Sequence, residues 1–484
     1  MMKNIITHYR SFRHTEYIFL AVLFIIAVLL RLYKINNPIA DWHSFRQADT
    51  ASVTRLYVEN GIDLLYPKYH DVSRVQSGLF NPQGYRFVEF PIYNALVAYI
   101  SILGGRLSLE VWSRLVSIAL AISTGLYIYL IGKTIYTKWF GLIAASFYLL
   151  IPFNIYFTRV ILPEPMAVFL GVSGLYYFLL YTKREKLDYL IVFSILFALG
   201  ILVKPYIAFY GLVPFLYLYG KYGFGFIRQK KILIATLIIF SPFLFWRFWM
   251  SQFPEGIPFW KWTFNGDGIR FHPAFFRWIF GERIGYLILG VWGIIPFFFG
   301  LISLKKKDWF LSYLLLGSLL YVSVIATANV RHDYYQTLII PAVALASSLG
   351  VVRMFAINFV RMWKMGFVLV VILGLSFIEG WSQVREYYKI DHPEIIAAGE
   401  AVDRLVPKDS LVIASYNGDT AFLYQTKRRG WPVVELPINE LIDEGAKYYT
   451  SVDLNNKQTQ EFETKFKTLE KTSSYVVLDL TNPQ

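Results

Sequence analysis

Apolar runs long enough to cross a bilayer alternate with short basic loops along most of this chain. A helix needs about 20 such residues to span the hydrocarbon core. The first run covers residues 17–33. The pattern predicts further spans at 110–132, 139–157, 165–181, 187–203, 205–219, 232–250, 284–304, 309–328, 334–352 and 365–381. Residues 90–103 form a shorter apolar run, expected to lie along or dip into the interface or to form part of a hairpin. A crossing there would invert every later loop. The runner-up is twelve or thirteen spans with one division placed differently.

Charge then orients the pattern. Lys3, Arg10 and Arg13 precede the first run, which is long and lacks a small-residue cleavage site, so it reads as a retained helix with its start in the cytoplasm. Counting onward, the inward loops are 133–138, 183–186, 221–231, 305–307 and 353–364, and each is basic. The outward parts are the loop 34–88, the aromatic loop 251–283 and the tail 383–484. In the tail, 410–414 and 475–480 read as short buried strands and 393–406, 437–444 and 457–471 as helices. The expected fold class is an α-helical polytopic protein of the plasma membrane, with about 11–13 transmembrane helices. These occupy residues 1–382; residues 383–484 form a small extracytoplasmic α/β domain.

Composition agrees: 56% of residues are hydrophobic, 17% are charged, and the mean hydropathy is +0.45. Lys and Arg exceed Asp and Glu by 14 (47 minus 33). The excess sits in the short loops, and no Gly-rich phosphate loop or aromatic-basic motif supports a nucleic-acid partner. Without cysteine, disulfides, thiolate nucleophiles and Cys-based metal sites are excluded.

Four ionisable residues interrupt the apolar pattern just beyond its runs: Asp49, Glu164, Lys204 and Arg331. Ionisable groups at membrane depth are costly, so a functional reading is the default. Asp49 follows a polar-aromatic stretch that includes His43 and Arg46. It is read either as a carboxylate capping the helix that follows or as a base for an acceptor hydroxyl. Glu164 stands between two prolines, where it is either a helix-terminal charge or a second acid able to share a divalent cation with Asp49. Lys204 is either an interfacial lysine that snorkels or a phosphate ligand, and Arg331 could hold a phosphate in bidentate fashion. Trp260, Trp262, Phe271 and Trp278 read better as an interfacial belt than as a sugar platform.

The segments HSFRQADTASVT (43–54), EFPIY (89–93), RVILPEP (159–165), LVKP (202–205) and RHDYYQTLIIP (331–341) together resemble the GT-C superfamily of membrane glycosyltransferases. The similar branch contains the protein O-mannosyltransferases and the lipid A aminoarabinose transferase (glycosyltransferase family 39-like). YNGDTAFLYQTKRRGW (416–431) is similar to the soluble tail of a bacterial subgroup. Asp49 falls at the family's catalytic acid, and Glu164 at a second acidic position that more often carries Asp.

The resemblance implies an inverting glycosyltransferase that moves a sugar from a polyprenyl-phosphate donor to an acceptor hydroxyl on the outer face. The implied acceptor is a glycan, lipid or protein. Asp49 would be the base. Lys204, Arg331 and Arg159 would hold the departing phosphate. Glu164 would position the site, with a divalent metal ion shared with Asp49 as the implied cofactor. His43, Arg46, Glu89 and His332 are further substrate-binding candidates. Two rivals are a polyprenyl-lipid flippase or transporter and a sugar-polymer ligase using a diphosphate-linked donor.

Overall fold

The computed structural model describes residues 15–357 and 362–483; Lys3, Arg10, Arg13 and residues 358–361 of the last basic loop lie outside them. The chain divides into two compact units. One comprises Met1–Tyr33, Leu115–Phe245 and Trp260–Glu386, the other Lys34–Arg114, Trp246–Phe259 and Tyr387–Gln484.

The first unit is helical. Leu109–Ile135, Glu164–Arg184 and Lys230–Met250, which contribute all or most of their length to it, are each long and apolar enough to cross a membrane. Ile18, Ile25 and Leu29 on helix Thr15–Arg31, and Leu233, Leu237 and Leu244 on Lys230–Met250, are exposed. Apolar faces of this kind suit lipid rather than water. Between helices, where burial of apolar surface drives nothing in lipid, close backbone approach does the packing. Helices Ile294–Ile302 and Ile340–Ile357 touch through Gly300 and Gly350: a Cβ on Gly350 would lie 1.7 Å from the Pro296 carbonyl oxygen, and one on Gly300 2.0 Å from that of Ala346.

Several runs that read as single spans are interrupted. Residues 139–157 divide into Lys138–Leu150 and Pro152–Phe157, because Pro152 lacks an N–H and disfavours helical geometry at Ile151. Residues 205–219 open as a 3-10 turn, Pro205–Gly211, before helix Leu212–Tyr222. The run 309–328 divides at Ile325 into Trp309–Val324 and Ala326–Arg331. The run 334–352 starts with the 3-10 turn Asp333–Leu338 and continues as Ile340–Ile357. The run 284–304 begins inside a π-helix, Arg277–Ile288, and resumes at Ile294 after Gly290 and Val291, both at positive φ.

The basic loops of this unit are tied to one another. Glu16, at the start of the first helix, accepts from Lys133 (3.2 Å) and Tyr129 (3.0 Å). Lys183 donates to the Thr134 carbonyl, Lys221 pairs with Glu185, and Arg353 lies 3.6 Å from Asp308. Tyr136, Lys183, Lys307 and Asp308 line one cleft.

The second unit holds a five-stranded sheet formed by β1 (Leu411–Ser415), β2 (Gly430–Trp431), β3 (Ala446–Ser451), β4 (Phe466–Lys471) and β5 (Val476–Pro483), in the order β2-β1-β3-β5-β4. The β2-β1-β3 pairs are parallel and the β3-β5-β4 pairs antiparallel. Helices Pro393–Leu405 and Ile438–Asp443 match expectation within a residue or so, whereas the helix expected over 457–471 stops at Lys465 and its second half is β4. Ile413, Trp431, Leu441, Tyr449, Phe462 and Leu478 form the core, and Val72 joins it. The join is made at Gly430. Val72 N donates to its carbonyl and Gly430 N to that of His70 (2.9 Å each), while a Cβ there would lie 1.7 Å from the Val412 carbonyl oxygen. Only glycine fits. Helix Ile92–Gly104, formed by the short apolar run, packs against helix Ser44–Asn60, where Asn94 donates to the Thr50 carbonyl (2.7 Å) and to Thr54 Oγ1 (3.0 Å).

Candidate active site

In the second unit, helix Ser44–Asn60 starts earlier than a cap at Asp49 would require. Its N-cap is His43, held at φ 55°, so Asp49 lies in the second turn and does not cap the helix. Asp49 is buried, and each carboxylate oxygen accepts a bond. Arg86 Nη2 donates to Oδ2 (2.6 Å), and Thr420 Oγ1 donates to Oδ1 (2.7 Å). Arg86 in turn lies over the Tyr69 ring at 5.0 Å, and Tyr69 OH donates to Asp71 Oδ2 (3.2 Å).

Two further carboxyls sit close enough to feel Asp49. Burial, with the Asp49 charge adding to it, pushes Asp71 up to about 6, against the bonds it accepts from Ser73. Asp419 is likewise pushed up to about 6, by burial first, against the bond that it accepts from Ala421 N, with Asp49 again contributing. Arg46 pairs with Glu89, so two of the sequence candidates meet here. Trp42, beside His43, stacks on Tyr387 with ring centroids 5.0 Å apart and planes 6° apart.

In the first unit, Pro163 and Pro165 let helix Glu164–Arg184 begin on the acid, as proline suits the start of a helix. Glu164 is fully buried, and its Oε1 accepts from Lys204 Nζ at 2.6 Å. Lys204 follows helix Leu187–Val203, with extended backbone before the turn at Pro205. At 5% exposure it does not snorkel. Its ammonium lies 5.3 Å from the Tyr335 ring centroid and 5.9 Å from that of Tyr206. Glu164 Oε2 is buried without a hydrogen-bond partner.

The remaining candidates of this unit divide. Arg159 is fully buried, its guanidinium 5.8 Å from the Tyr156 ring. Arg331 is largely exposed and pairs with Asp267 of the aromatic loop at 3.3 Å, so Lys204 has Tyr335 beside it from this segment. His332 stands among the rings of Trp262, Tyr334 and Tyr335. Among the described residues, no three His, Asp or Glu side chains are grouped as a metal site requires.

Residues 91–246, less than half of the chain, match the family described as dolichyl-phosphate-mannose-protein mannosyltransferase. Among solved structures, ArnT from Cupriavidus metallidurans bound to undecaprenyl phosphate superposes with a TM-score of 0.66 at 12% identity, over 95% of this chain and 97% of that one. The chain has the GT-C fold. The Archaeoglobus fulgidus oligosaccharyltransferase in its apo form is similar at a TM-score of 0.62 and 11% identity, over 94% of this chain and 73% of the other. No curated protein matches the sequence.

Within this GT-C chain the sequence reading missed the partners of its acids. Arg86, Tyr69, Asp71, Asp419 and Thr420 around Asp49, and Asp267 beside Arg331, carried no separate signal. The nearest to one was the tail segment 416–431, whose likeness to a bacterial subgroup includes both Asp419 and Thr420.

Proposed function

We propose that the protein transfers a sugar from a polyprenyl-phosphate-linked donor to an acceptor hydroxyl, with inversion, on the extracytoplasmic side of the membrane. The observation that carries this reading is the buried Asp49 carboxylate, held between Arg86 and Thr420. An ionised carboxylate offers about four lone-pair sites, so two accepted bonds fix its aim and leave capacity for an acceptor proton. Lys204, Arg159 and Arg331 neutralise the departing lipid phosphate. A phosphate leaves without a general acid, so one base suffices where a glycosidase needs two carboxyls. The Lys204 ammonium is oriented by its bond to Glu164 Oε1, which fixes where its positive charge can meet phosphate oxygens. The basic loops tied together in the helical unit support a cytoplasmic placement of that face.

The test uses the detergent-solubilised protein and a labelled polyprenyl-phosphate sugar. Transfer with release of polyprenyl monophosphate is expected, and Asp49→Asn should slow it by roughly 10²- to 10⁴-fold, with a lowered but still cooperative thermal transition because Arg86 loses its buried counter-charge. Near-normal turnover by that variant moves the base elsewhere. Translocation without cleavage, or indifference to this donor, overturns the reading in favour of a flippase or a diphosphate-dependent ligase.

A further inference from the structure

The second unit contains a cleft of about 690 Å³ that takes no part in holding Asp49. Its walls carry Tyr57, Tyr66, Tyr85 and Phe253, with Lys68 and Arg429 among them. The size falls within the range of small-ligand sites, which combine aromatic walls with a few placed polar groups.

A short ladder separates this cleft from the acid. Tyr69 N donates to the Gly84 carbonyl, Arg86 N donates to the Pro67 carbonyl (2.8 Å each), and Lys68 pairs with Tyr85. Side chains alternate faces along extended chain. Tyr69 and Arg86 therefore turn towards Asp49, while their neighbours Lys68 and Tyr85 line the cleft. One helix also serves both places. Asp49 lies in the second turn of Ser44–Asn60, and Leu56, Tyr57 and Asn60 near its end reach the cleft. At 1.5 Å per residue, Asp49 and Tyr57 are about 12 Å apart along the axis.

The charges suggest the occupant. Asp63 Oδ1 accepts from the N–H groups of Leu65 and Tyr66, and Tyr57 OH donates to the Asp63 carbonyl, so this residue shapes the rim. Lys68 lies 5.6 Å from the Tyr85 ring centroid. Arg429 spends Nη2 on the Pro82 carbonyl (2.7 Å), while its Nε is buried without a hydrogen-bond partner. Lys68 and Arg429 outnumber the one lining carboxylate, Asp63, in a cleft with tyrosine walls, which suits a ligand that is flat-sided, rich in hydroxyls and anionic.

We propose that this cleft binds a part of the acceptor remote from the reacting hydroxyl, an acidic oligosaccharide with its sugar faces on Tyr66 and Tyr85 and its acidic groups on Lys68 and Arg429. The proposal rests on the glycosyltransferase reading for the word acceptor, but its test does not require turnover. A fluorescent oligogalacturonate is titrated into the full-length protein in detergent, with maltohexaose and monomeric galacturonate as competitors. Saturable binding is expected, weakened by about tenfold in Lys68→Glu and in Tyr66→Ala, with neither competitor displacing the probe at matched concentration. Lys68 is only partly buried, so Lys68→Glu keeps the test valid if Tyr66→Ala lowers the thermal midpoint. Absent saturation, unchanged affinity in Lys68→Glu, or equal displacement by either competitor overturns the proposal. A protein that binds the probe but cleaves no donor loses the transferase reading and keeps the site; one that turns over donor without binding the probe does the reverse.

Discussion

Asp49 and Glu164 are both buried acids paired with a cation, yet they are held in different ways. Asp49 has both oxygens engaged, one by Arg86 and one by Thr420. Glu164 has Oε1 on Lys204 and Oε2 buried without a hydrogen bond. The first arrangement fixes a carboxylate in direction; the second leaves an unmet acceptor where desolvation is expensive. An acid that must take a proton from an acceptor needs the former. An acid whose task is to hold a lysine, and to respond when a ligand engages it, is served by the latter.

The contrast predicts unequal responses to charge removal. Beside the large rate loss expected of Asp49→Asn, the strongest effect on folding should come from Lys204→Met, which leaves Glu164 ionised and uncompensated. Breaking a buried pair from one side costs roughly 3–5 kcal/mol, seen as a fall in the thermal midpoint in detergent. The double variant Lys204→Met with Glu164→Gln removes both charges and should recover most of that loss. A single variant as stable as the parent would mean that Glu164 is not committed to Lys204, and the contrast with Asp49 would go.

How far each acid could be read from sequence follows the same division. Both stand out because ionisable residues beside apolar runs are rare, and so does Lys204. The Lys204–Glu164 pair joins two motifs that the apolar pattern itself singles out. The partners of Asp49 are 37 and 371 residues away, one in an ordinary polar loop and the other in the tail, where no local pattern marks them. The tail shows the same limit. β1 and β5 carry compact apolar runs and were legible as strands. β4 was not, because Phe462 and Phe466 are four apart, as on one face of a helix, although Phe466 already belongs to the strand. The apolar helical runs were legible in order, but their breaks depend on which prolines and glycines meet a neighbouring backbone, as at Gly290 against Ser376.

Thr420→Val isolates the tail's contribution to Asp49. The shape is nearly kept and the bond to a charged acceptor is lost, worth about 1.5–3 kcal/mol. Transfer should fall by roughly ten- to a hundredfold, with the acceptor's KM little changed, because the base is misdirected and not removed. Loss confined to KM would instead assign Thr420 to acceptor binding. An unchanged rate would show that Arg86 alone orients the acid, and the two-handed grip on Asp49 would carry no functional weight.

The smallest effect should come from Asp419, and its sign separates it from Asp49. Its folded carboxyl titrates near 6, above the ordinary aspartate value of 3.8. Between those values the folded state binds more protons than the unfolded one, so stability falls as pH rises from about 4 to about 6 and then levels off. Asp71 adds to the same slope. Asp419→Asn retains a side-chain oxygen for the Ala421 N–H and removes the charge that opposes Asp49. It should therefore raise stability at pH 7 by on the order of 1 kcal/mol and flatten the dependence between pH 4 and 6. Thermal midpoints of parent and variant at pH 4.5 and 7 measure this directly. A variant less stable than the parent at pH 7, with the slope intact, would mean that Asp419 is held by attraction in the folded chain, and that the charge near Asp49 is balanced and not in excess.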